Sequence, residues 1–459
     1  MSTQPKLQVL RDLETAERKP SFGLSRKRVK ADGAPYLPSF GRCGVSNVAV
    51  LGFGTVGRSV AEILSYSPDP RLRLTHVFNR NVERKRVTWT DDSVHYTSDF
   101  HSVLNSDADI LVETIGGLEE AETWVRQALL QGKSVITANK QLIAHHGREL
   151  AQLAHDHNAQ LLFGASVAGG VPVLLALEEG LAGDRLIGIS GILNGTCNYI
   201  LTRMDAANVS FETALTEAQQ FGFAEADPSS DINGDDAAAK LAILAQIGLK
   251  TTLSPGDIRK TPVSSVEAID FIYARQLGST IRQVSRATYD GRKLFASVEP
   301  ALVPQNSQLA NVQGSQNVVI ASGKYGGNTA FTGHGAGGHP TAVAVVSDLI
   351  AAAQGRNHAE WLLAADHQRP AVSSDFTTPH YVRFVVKDRP GIIASIASTL
   401  SSRGINIDAI LQQSGFSKAE LPFVVTLEPS GVSVLREALD DISRSDFLVK
   451  SPVHFPILK

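Results

Sequence analysis

One short segment near the middle of the chain concentrates acidic side chains around a lysine. Within residues 222–241, Glu225 and Asp231 precede Asp236, and Lys240 follows Asp236 by four residues. This spacing places Asp236 and Lys240 on one face of a predicted alanine-rich helix, where a surface ion pair would contribute only about 0.3–0.5 kcal/mol. Because two more acids lie just before that helix, the cluster can also be interpreted as a site that holds an ammonium group and adjusts the pKa of a proton donor.

A second lysine stands where parallel strands usually present ligand-binding groups. Lys140 comes shortly after the predicted strand 134–137. In an open α/β sheet the ligand binds beyond the carboxyl ends of the strands, so Lys140 is placed to reach one. An ordinary surface lysine at a turn is the alternative interpretation.

A glycine-rich loop begins directly after the first predicted strand, residues 47–51. Residues 52–57, G-F-G-T-V-G, match the pattern G-x-G-x-x-G and open a predicted helix. In this context Gly52 permits the tight turn, Gly54 lets the backbone approach a pyrophosphate, and Gly57 lets the helix pack close to the sheet. The helix N-terminus adds a positive field, so the loop predicts a dinucleotide cofactor rather than an ordinary glycine turn.

The end of the second predicted strand bears on which dinucleotide binds. NAD-specific sites usually carry Asp or Glu about twenty residues after the glycines, where the carboxylate binds the ribose 2′-hydroxyl. This chain has Asn79 and Arg80 there, with further basic residues at 84–86. A guanidinium suits a 2′-phosphate because it forms paired, charge-assisted hydrogen bonds, so the sequence favours NADP over NAD, with Arg80 as the contact. A solvated basic turn is the alternative.

The elements that must hold these residues alternate between strand and helix in the first part of the chain. Such alternation is typical of βαβ units and of a doubly wound, Rossmann-type α/β domain. An α+β domain follows, and the final part reads as βαββαβ, a ferredoxin-like order. The predicted organisation is a disordered extension at 1–44, a nucleotide-binding domain at 45–164 closed by helix 340–355, a second domain at 165–339, a linker at 357–378 and a C-terminal domain at 379–459.

Composition narrows the classes of function. The 459 residues include 43 basic and 46 acidic ones, a formal net charge of −3, so charge gives no reason to expect nucleic acid or an anionic membrane as a partner. The two cysteines, Cys43 and Cys197, are too few for a disulfide framework or a cysteine zinc site. No apolar run is long enough to cross a bilayer. A reducing, cytoplasmic location is expected.

Two segments resemble the signature of the homoserine dehydrogenase family. They are L-N-G-T-C-N-Y-I at 193–200 and G-F-A-E-A-D-P-S-S-D-I-N-G-D-D-A-A-A-K at 222–240, and the resemblance covers roughly residues 46–355. These motifs are far more specific than the glycine loop. The resemblance implies a Rossmann domain joined to a catalytic and dimerisation domain, and a homodimer or homotetramer. It also implies NAD(P)-dependent interconversion of L-homoserine and L-aspartate 4-semialdehyde in threonine, methionine and isoleucine biosynthesis.

The resemblance assigns functional residues by position. The family's two active-site lysines correspond to Lys140 and Lys240, and its substrate-binding acids to Glu225 and Asp236, with Asp231 alongside. We expect Lys240 to donate a proton to the aldehyde oxygen and Lys140 to polarise that oxygen, each lysine lowering the other's pKa. Asp236 would position Lys240 or the substrate hydroxyl, and Glu225 would bind the substrate ammonium. The family's cofactor contacts correspond to Phe53, Thr55, Val56, Thr114, Lys140, Gly222 and Gly337.

One family feature is incomplete in this chain. Members often bind a monovalent cation such as Na⁺ through a glutamate and backbone carbonyls in an E-A-[ST]-V-x-x-G-x-P stretch, which reads G-A-S-V-A-G-G-V-P at 164–172 here. The carbonyls of Val167, Gly169 and Val171 could still coordinate, because oxygen suits a hard cation. Gly164 stands where the glutamate would be, so the predicted site lacks its carboxylate.

The C-terminal module resembles an ACT domain, a small-molecule sensor, through the stretch D-R-P-G-I-I at 388–393. The resemblance implies an amino-acid effector, and threonine, the pathway end product, is the expected one. Two other functions stay open. One is an aspartate-semialdehyde dehydrogenase with Cys197 as its nucleophile, although no histidine lies near Cys197 in the sequence. The other is a non-catalytic sensor of redox state and amino-acid level.

Overall fold

A computed structural model describes residues 44–66, 69–364 and 370–458 of the chain. The predicted N-terminal extension therefore lies outside the described residues, except for Gly44. Within the described ranges, none of the helices combines the length and the apolar character needed to span a membrane.

The first domain is built on a six-stranded parallel sheet. Its strands are β1 (Ser46–Leu51), β2 (Leu72–Phe78), β3 (His95–Thr97), β4 (Ile110–Glu113), β5 (Ser134–Thr137) and β6 (Leu161–Leu162). They lie in the order β3-β2-β1-β4-β5-β6, with β1 paired in parallel to both β2 and β4. The strand order reverses at β1, where a dinucleotide binds in folds of this kind. The predicted doubly wound Rossmann-type sheet is confirmed.

Helices cover both faces of this sheet. They are α1 (Thr55–Tyr66), α2 (Val82–Lys85), α3 (Phe100–Leu104), α4 (Glu119–Leu130) and α5 (Lys140–Asp156). Along β1, Val48 and Val50 enter one apolar core, whereas Ala49 and Leu51 enter another. Because successive side chains of a strand point to opposite faces, a strand that is apolar throughout must be covered on both sides.

The second domain contains a larger mixed sheet. Its strands are β7 (Leu186–Ile192), β8 (Arg259–Lys260), β9 (Ser279–Tyr289), β10 (Lys293–Pro304), β11 (Gln316–Gly323), β12 (Gly327–His334) and β13 (Ala371–Ser373). Six of them lie in the order β12-β11-β7-β9-β10-β13, and β8 pairs with β10. The helices are α6 (Val173–Leu175), α7 (Gly195–Ala207), α8 (Phe211–Gln220), α9 (Ser229–Ile232), α10 (Asp235–Gly248), α11 (Ala268–Gln276) and α12 (Gln308–Asn311).

Helix α10 is the central helix of the molecule. Every residue from Asp236 to Ile247 is buried, because α10 lies between the mixed sheet and α5. Its alanines let the neighbouring elements approach closely, and a helix that is apolar all round belongs in an interior. The acidic and basic residues in its first two turns are therefore held in the protein interior rather than in solvent.

Two further helices return to the first domain. Helix α13 (Gly338–Ala353) packs on α1 and adds Ala342, Val345 and Leu349 to the core of that domain. Helix α14 (Ala359–Leu363) packs on α5. The segment that we predicted as a linker, 357–378, therefore holds α14 and also β13, which pairs in parallel with β10. Its polar composition conceals the fact that Leu362 is fully buried against the core.

The C-terminal domain has the predicted βαββαβ order. Its elements are β14 (Thr377–Val386), α15 (Ile392–Ser401), β15 (Ile407–Gln412), β16 (Leu421–Gly431), α16 (Val432–Ile442) and β17 (Leu448–Pro456). The antiparallel sheet has the order β15-β16-β14-β17. Val382 and Phe384 face this domain's own helices, whereas Tyr381 and Phe455 pack with Phe271 of α11. The C-terminal domain thus docks onto the second domain through one face of its sheet.

Candidate active site

A single carboxylate lies between the two candidate lysines. The Nζ of Lys140 is 3.0 Å from Oδ1 of Asp236, and the Nζ of Lys240 is 2.8 Å from Oδ2 of the same side chain. Lys240 also donates to the backbone carbonyl of Leu193 at 2.8 Å. Asp236 and Lys240 are only 6% and 8% exposed, so this pair is not the surface ion pair that their spacing alone would suggest.

Local structure explains why the three side chains meet. Lys140 is the first residue of α5, and the side chain of Asn139 caps that helix by accepting from the amide of Leu142 at 3.2 Å. Asp236 and Lys240 occupy successive turns of α10 on one face. Gly234 precedes α10 at φ +86°, and a Cβ there would lie 3.0 Å from Val298. Glycine lets the chain turn closely against β10 at this point, and α10 then begins with Asp236 in contact with Lys140.

Asn194 joins the acids into one network, and the sequence reasoning gave it no role. Its Nδ2 donates to Oδ1 of Asp231 at 2.6 Å and to Oδ2 of Asp236 at 2.9 Å. Its Oδ1 accepts from the amide of Cys197 at 2.8 Å and so caps α7. An Asn directly before a predicted helix is an N-cap signal that could have been used. Its contact with Asp236, 42 residues away, had no local signal.

The pKa values of the cluster depend on this arrangement. Burial alone would raise the pKa of Asp236, but Lys240 and Lys140 outweigh it and hold that pKa well below its usual range. Burial, together with the charge of Asp236, raises the pKa of Asp231. Asp236 raises the pKa of Lys140, against the opposing effect of burial. Our expectation that the second lysine would lower the pKa of Lys140 is therefore wrong, because Asp236 lies between the two ammonium groups.

Glu225 and Gly222 lie in the loop between α8 and α9. Both are exposed, and Gly222 adopts φ +76°. The charge of Glu225 contributes to the raised pKa of Lys140, so its carboxylate lies within electrostatic range of the cluster without a direct contact. A carboxylate that is exposed and near Lys140 remains free to bind an incoming ammonium group.

The glycine loop after β1 has the close packing that a dinucleotide site requires. Gly52 adopts φ +94°, and a Cβ there would lie 2.8 Å from the carbonyl oxygen of Thr114. A Cβ at Gly57 would lie 1.9 Å from the oxygen of Gly52. The hydroxyl of Thr114 donates to that same oxygen at 2.8 Å. Thr114 therefore holds the turn in place, and the two glycines are required by contact with backbone atoms.

The outer side of this loop is open. Gly54 is exposed, with no atom within 4 Å of where its Cβ would be, so a phosphate has room there. Phe53 is buried and meets Tyr96 edge to face. Thr55 begins α1, and Val56 follows it. Gly338 lies close to this helix, because a Cβ at Gly338 would be 2.9 Å from the side chain of Thr55. The structure brings Gly337, at φ +122°, to this loop from more than 270 residues away in the chain.

Arg80 follows β2 at the carboxyl edge of the sheet. Its guanidinium forms an ion pair with Glu120 at the start of α4, and its side chain is 71% exposed. Nearby, Arg86 lies over the ring of Tyr96 at 5.3 Å. Tyr96 in turn contacts Phe53 of the glycine loop, so Arg86 lies near that loop, and Arg80 is accessible to a ligand.

The segment that resembles a cation site contains an unexpected carboxylate neighbour. The amide of Gly164 donates to Oδ2 of Asp348 on α13 at 2.7 Å, and a Cβ at Gly164 would lie 2.7 Å from Oδ1. Asp348 thus fills the space next to Gly164. The carbonyl of Val171 accepts from the amide of Val173 at 2.7 Å, and Gly169 lies against the carbonyl of Gly335.

Cys197 does not have the environment of a nucleophile. It is fully buried, its thiol donates to the carbonyl of Asp231 at 3.1 Å, and burial raises its pKa well above the usual value. Only a thiolate attacks an aldehyde, and nucleophilic cysteines have lowered pKa values. An aldehyde dehydrogenase that acts through Cys197 is therefore disfavoured.

Comparison with known families agrees with this geometry. A family model described as homoserine dehydrogenase matches residues 172–350, and one described as the NAD-binding domain of homoserine dehydrogenase matches residues 52–164. An ACT domain model matches residues 380–444. Lys240 and Asp236 lie within the first match, the glycine loop and Lys140 within the second.

Individual relatives span most of the chain. Homoserine dehydrogenase of Bacillus subtilis (strain 168) is 37% identical over 376 residues, covering 80% of this chain and 87% of the relative. That of Corynebacterium glutamicum is 35% identical over 447 residues, covering 94% and 97%. The crystal structure of a homoserine dehydrogenase from Thiobacillus denitrificans has a TM-score of 0.82 at 31% identity, covering 92% and 100%. A hyperthermophilic archaeal homoserine dehydrogenase in complex with NADPH has a TM-score of 0.58 at 28% identity, covering 68% and 98%. The chain belongs to the homoserine dehydrogenase family and carries a C-terminal ACT domain.

Proposed function

We propose that this protein catalyses the reversible, NAD(P)-dependent reduction of L-aspartate 4-semialdehyde to L-homoserine, with Lys240 as the proton donor. The observation that carries the proposal is the carboxylate of Asp236, which contacts both lysines at the carboxyl edge of a dinucleotide-binding sheet. An ammonium pair at this edge is placed to meet the oxygen of a small aldehyde. Membership of the homoserine dehydrogenase family supports the choice of substrate.

Each residue of the cluster has a distinct part in the reaction. When bound, a nicotinamide cofactor would supply the hydride that the aldehyde carbon needs, and the carbonyl oxygen would take up negative charge as the C=O bond opens. Lys240 gives one proton to that oxygen, which yields the alcohol. Lys140, whose pKa is raised by Asp236, keeps its charge at neutral pH and stabilises the oxygen as its charge develops. In homoserine oxidation the same groups act in reverse, and Lys240 accepts the proton.

Substrate orientation falls to the acids around the two lysines. Glu225 is exposed beside the cluster and binds the substrate ammonium, and Asp231 lies alongside. Asp236 keeps both lysines in position, and Asn194 holds Asp236. Because Asp236 and Asp231 are held by the protein, the pocket needs little reorganisation as charge moves to the oxygen.

The cofactor part of the proposal is NADP, held by residues 52–57, Thr114, Lys140, Gly222 and Gly337. What supports it is that Arg80 stands exposed at the end of β2, where a carboxylate would select NAD. Its ion pair with Glu120 is a surface pair that a 2′-phosphate can replace, because a dianion attracts a guanidinium more strongly than a carboxylate does.

Regulation and assembly complete the proposal. The ACT module at 379–459 binds an amino-acid effector, with threonine as the candidate. The domains at 45–164 and 165–339 carry out the reaction. The chain assembles as a homodimer or homotetramer. A monovalent cation such as Na⁺ would bind the carbonyls of Val167, Gly169 and Val171. The carboxylate of Asp348 lies next to Gly164, where the family's glutamate is missing, and would supply the negative charge that the glutamate otherwise provides.

The direct test is an assay of the purified full-length chain. NADP or NAD reduction should be followed at 340 nm with L-homoserine, with and without L-threonine, and in Na⁺-free and Na⁺-containing buffers. The proposal expects homoserine-dependent reduction, faster with NADP, and inhibition by threonine. A folded protein that binds NADPH but never reduces NADP with homoserine would overturn the catalytic proposal and favour the sensor.

A further inference from the structure

Glu113, the last residue of β4, is a fully buried acid that the proposed reaction does not use. Within the described residues, three neutral groups donate to its carboxyl. Its Oε1 accepts from the amides of Ile115 at 2.8 Å and Gly116 at 3.2 Å, and its Oε2 accepts from the hydroxyl of Thr137 at 2.5 Å. A buried carboxyl is costly unless hydrogen bonds satisfy it. Here the donors come from two places, the loop after β4 and the end of β5.

Thr137 connects Glu113 to the turn that precedes Lys140. Glu113 and Thr137 are paired across the parallel ladder and end neighbouring strands. The hydroxyl oxygen of Thr137 also accepts from the amide of Asn139 at 2.9 Å. Asn139 caps α5, and its Nδ2 donates to the carbonyl of Gly117 at 2.6 Å. These hydrogen bonds close into a ring that joins the loop after β4 to the first turn of α5.

The loop after β4 has a conformation that depends on this ring. Gly116 and Gly117 adopt φ +76° and +74°, so two successive residues lie in the left-handed region. Both are exposed, and no described atom lies within 4 Å of a Cβ built at either one. Because no neighbour packs closely there, the loop is held by its hydrogen bonds to Glu113 and Asn139.

The same loop also touches the dinucleotide site. The hydroxyl of Thr114, the first residue of the loop, donates to the oxygen of Gly52 at 2.8 Å. On the other side of the ring, Lys140 begins α5 and reaches Oδ1 of Asp236 at 3.0 Å. The ring therefore links the position of the catalytic lysine to that of the glycine loop.

We propose that Glu113 is a positioning residue that fixes the first turn of α5 and so holds Lys140 against Asp236. This inference rests on the proposed function, in which Lys140 stabilises the substrate oxygen as its charge develops. A displacement of about 1 Å at such a group can lower the rate about 10²-fold. Loss of the ring should lower kcat and spare KM, because the substrate ammonium is bound by Glu225, outside the ring.

The kinetic test breaks the ring from both sides. In Glu113→Ala and in Thr137→Val, kcat for homoserine oxidation should fall about 10²-fold, while the KM for homoserine stays within about threefold. Glu113→Gln keeps the oxygen that the two amides reach and offers an amide to Thr137, so its kcat should stay within about threefold. Asp109→Asn is the matched control, because Asp109 lies just before the opposite end of β4 and accepts from the amide of Asn47. It should keep wild-type kcat.

A double variant tests whether the ring acts through Lys140. Adding Thr137→Val to Lys140→Met should lower kcat by less than about twofold beyond Lys140→Met alone, because the group that the ring positions is already gone. A further loss as large as in the wild-type background overturns the proposal. So does a Glu113→Gln loss equal to that of Glu113→Ala, because the charge and not the position would then be what acts.

A crystal structure of cofactor-free Thr137→Val gives a readout that does not depend on catalysis. It should show the first turn of α5 displaced and the contact between Lys140 and Asp236 lost. An intact contact, or an unchanged kcat in the folded variant, overturns the proposal even where Glu113→Ala fails to fold. Wild-type protein that shows no homoserine-dependent reduction would instead overturn the proposed function, and the crystal structure would still decide what positions Lys140.

Discussion

Among the residues that the structure describes, two buried networks of charged side chains differ in whether solvent can reach them. The first joins the ACT domain to α11. Asp270 is fully buried, its Oδ1 lies 2.8 Å from Nε of Arg383 and accepts from the hydroxyl of Tyr381 at 2.6 Å, and its Oδ2 accepts from the amide of Glu267. Arg383 also forms an ion pair with Glu267 at 2.8 Å.

The second network is the active-site cluster, which has an open side. Asp236 is paired with two lysines, but Lys140 is half-buried and Glu225 is exposed next to it. Burial raises the pKa of Asp270 despite the charge of Arg383, whereas the two lysines hold the pKa of Asp236 well below its usual range. The pKa of the same type of side chain is thus shifted in opposite directions at the two sites.

The difference separates a structural role from a chemical one. Where the carboxylate and the guanidinium are both enclosed, as around Asp270 and Arg383, the network fixes how two domains dock. Where a lysine keeps free donor capacity beside an exposed carboxylate, as around Asp236, the network has room for a ligand. Breaking the first should cost stability, and breaking the second should cost rate.

The largest expected effect comes from Asp236→Asn. Neutralising this carboxylate leaves Lys140 and Lys240 facing each other without an anion, and kcat for homoserine oxidation should fall by about 10³-fold or more. Asp235→Asn is the matched control, because Asp235 is the adjacent residue and, in the described part of the chain, forms an ion pair with exposed Lys260 alone. The control should stay within about twofold. Similar losses in both variants would show that the arrangement around Asp236 is not special.

Asp270→Asn tests the other network. Removing one partner of a buried ion pair should lower the free energy of unfolding by about 3–5 kcal/mol, measured by urea denaturation, while kcat of the folded enzyme changes little. Asp446→Asn removes an exposed pair with Arg389 within the ACT domain and should leave the free energy of unfolding almost unchanged. A kcat loss as large as that of Asp236→Asn would mean that the docking network belongs to the catalytic machinery.

Asp348 extends the comparison to a buried acid that has no ion-pair partner among the described residues. Burial raises its pKa to about 7, with backbone amides of Gly164 and Ala165 acting against the shift. A raised folded-state pKa stabilises the protein fully below pH 4, and that contribution is lost as the pH rises toward 7, at about 1.4 kcal/mol per pH unit. In buffer free of Na⁺, Asp348→Asn should remove this part of the pH dependence from urea unfolding curves. An unchanged slope would show that Asp348 is already ionised in the fold, as a bound cation would make it.

Arg80→Ala examines an exposed pair and should have the smallest effect. The KM for NADP should rise about tenfold, because a charge-assisted contact to the 2′-phosphate is lost, and the KM for NAD should not change. Arg71→Ala removes a comparable surface pair, with Asp69, away from the glycine loop and should leave both values unchanged. Equal changes for NADP and NAD in Arg80→Ala would contradict a 2′-phosphate contact.

Local patterns predicted the parts of the molecule that local physics decides. The alternation of elements predicted the doubly wound sheet, and the glycine pattern predicted the turn that is now seen packed against Thr114. The spacing of Asp236 and Lys240 predicted that they share a helix face. Each of these depends on residues within a few positions of one another.

Contacts between distant segments could not be predicted in this way. The pKa of Lys140 was predicted in the wrong direction because nothing in the sequence showed that Asp236 would lie between it and Lys240. Asn194 and Asp348 act through contacts with Asp236 and Gly164, which are 42 and 184 residues away. The polar stretch at 357–378 hid α14 because a five-residue helix has too few turns for an apolar period.

Lys240 is proposed to act in the reaction and to do more than form an ion pair with Asp236. Lys240→Met tests it most directly, because methionine keeps the apolar stem and removes the charge. We expect kcat for homoserine oxidation to fall by about 10²–10⁴-fold while the Kd of NADPH, measured by fluorescence, stays within about twofold. Lys260→Met, which removes the exposed partner of Asp235, should keep wild-type kcat. A folded Lys240→Met enzyme with near-normal kcat would contradict the account and leave Lys140 as the remaining candidate for the proton donor.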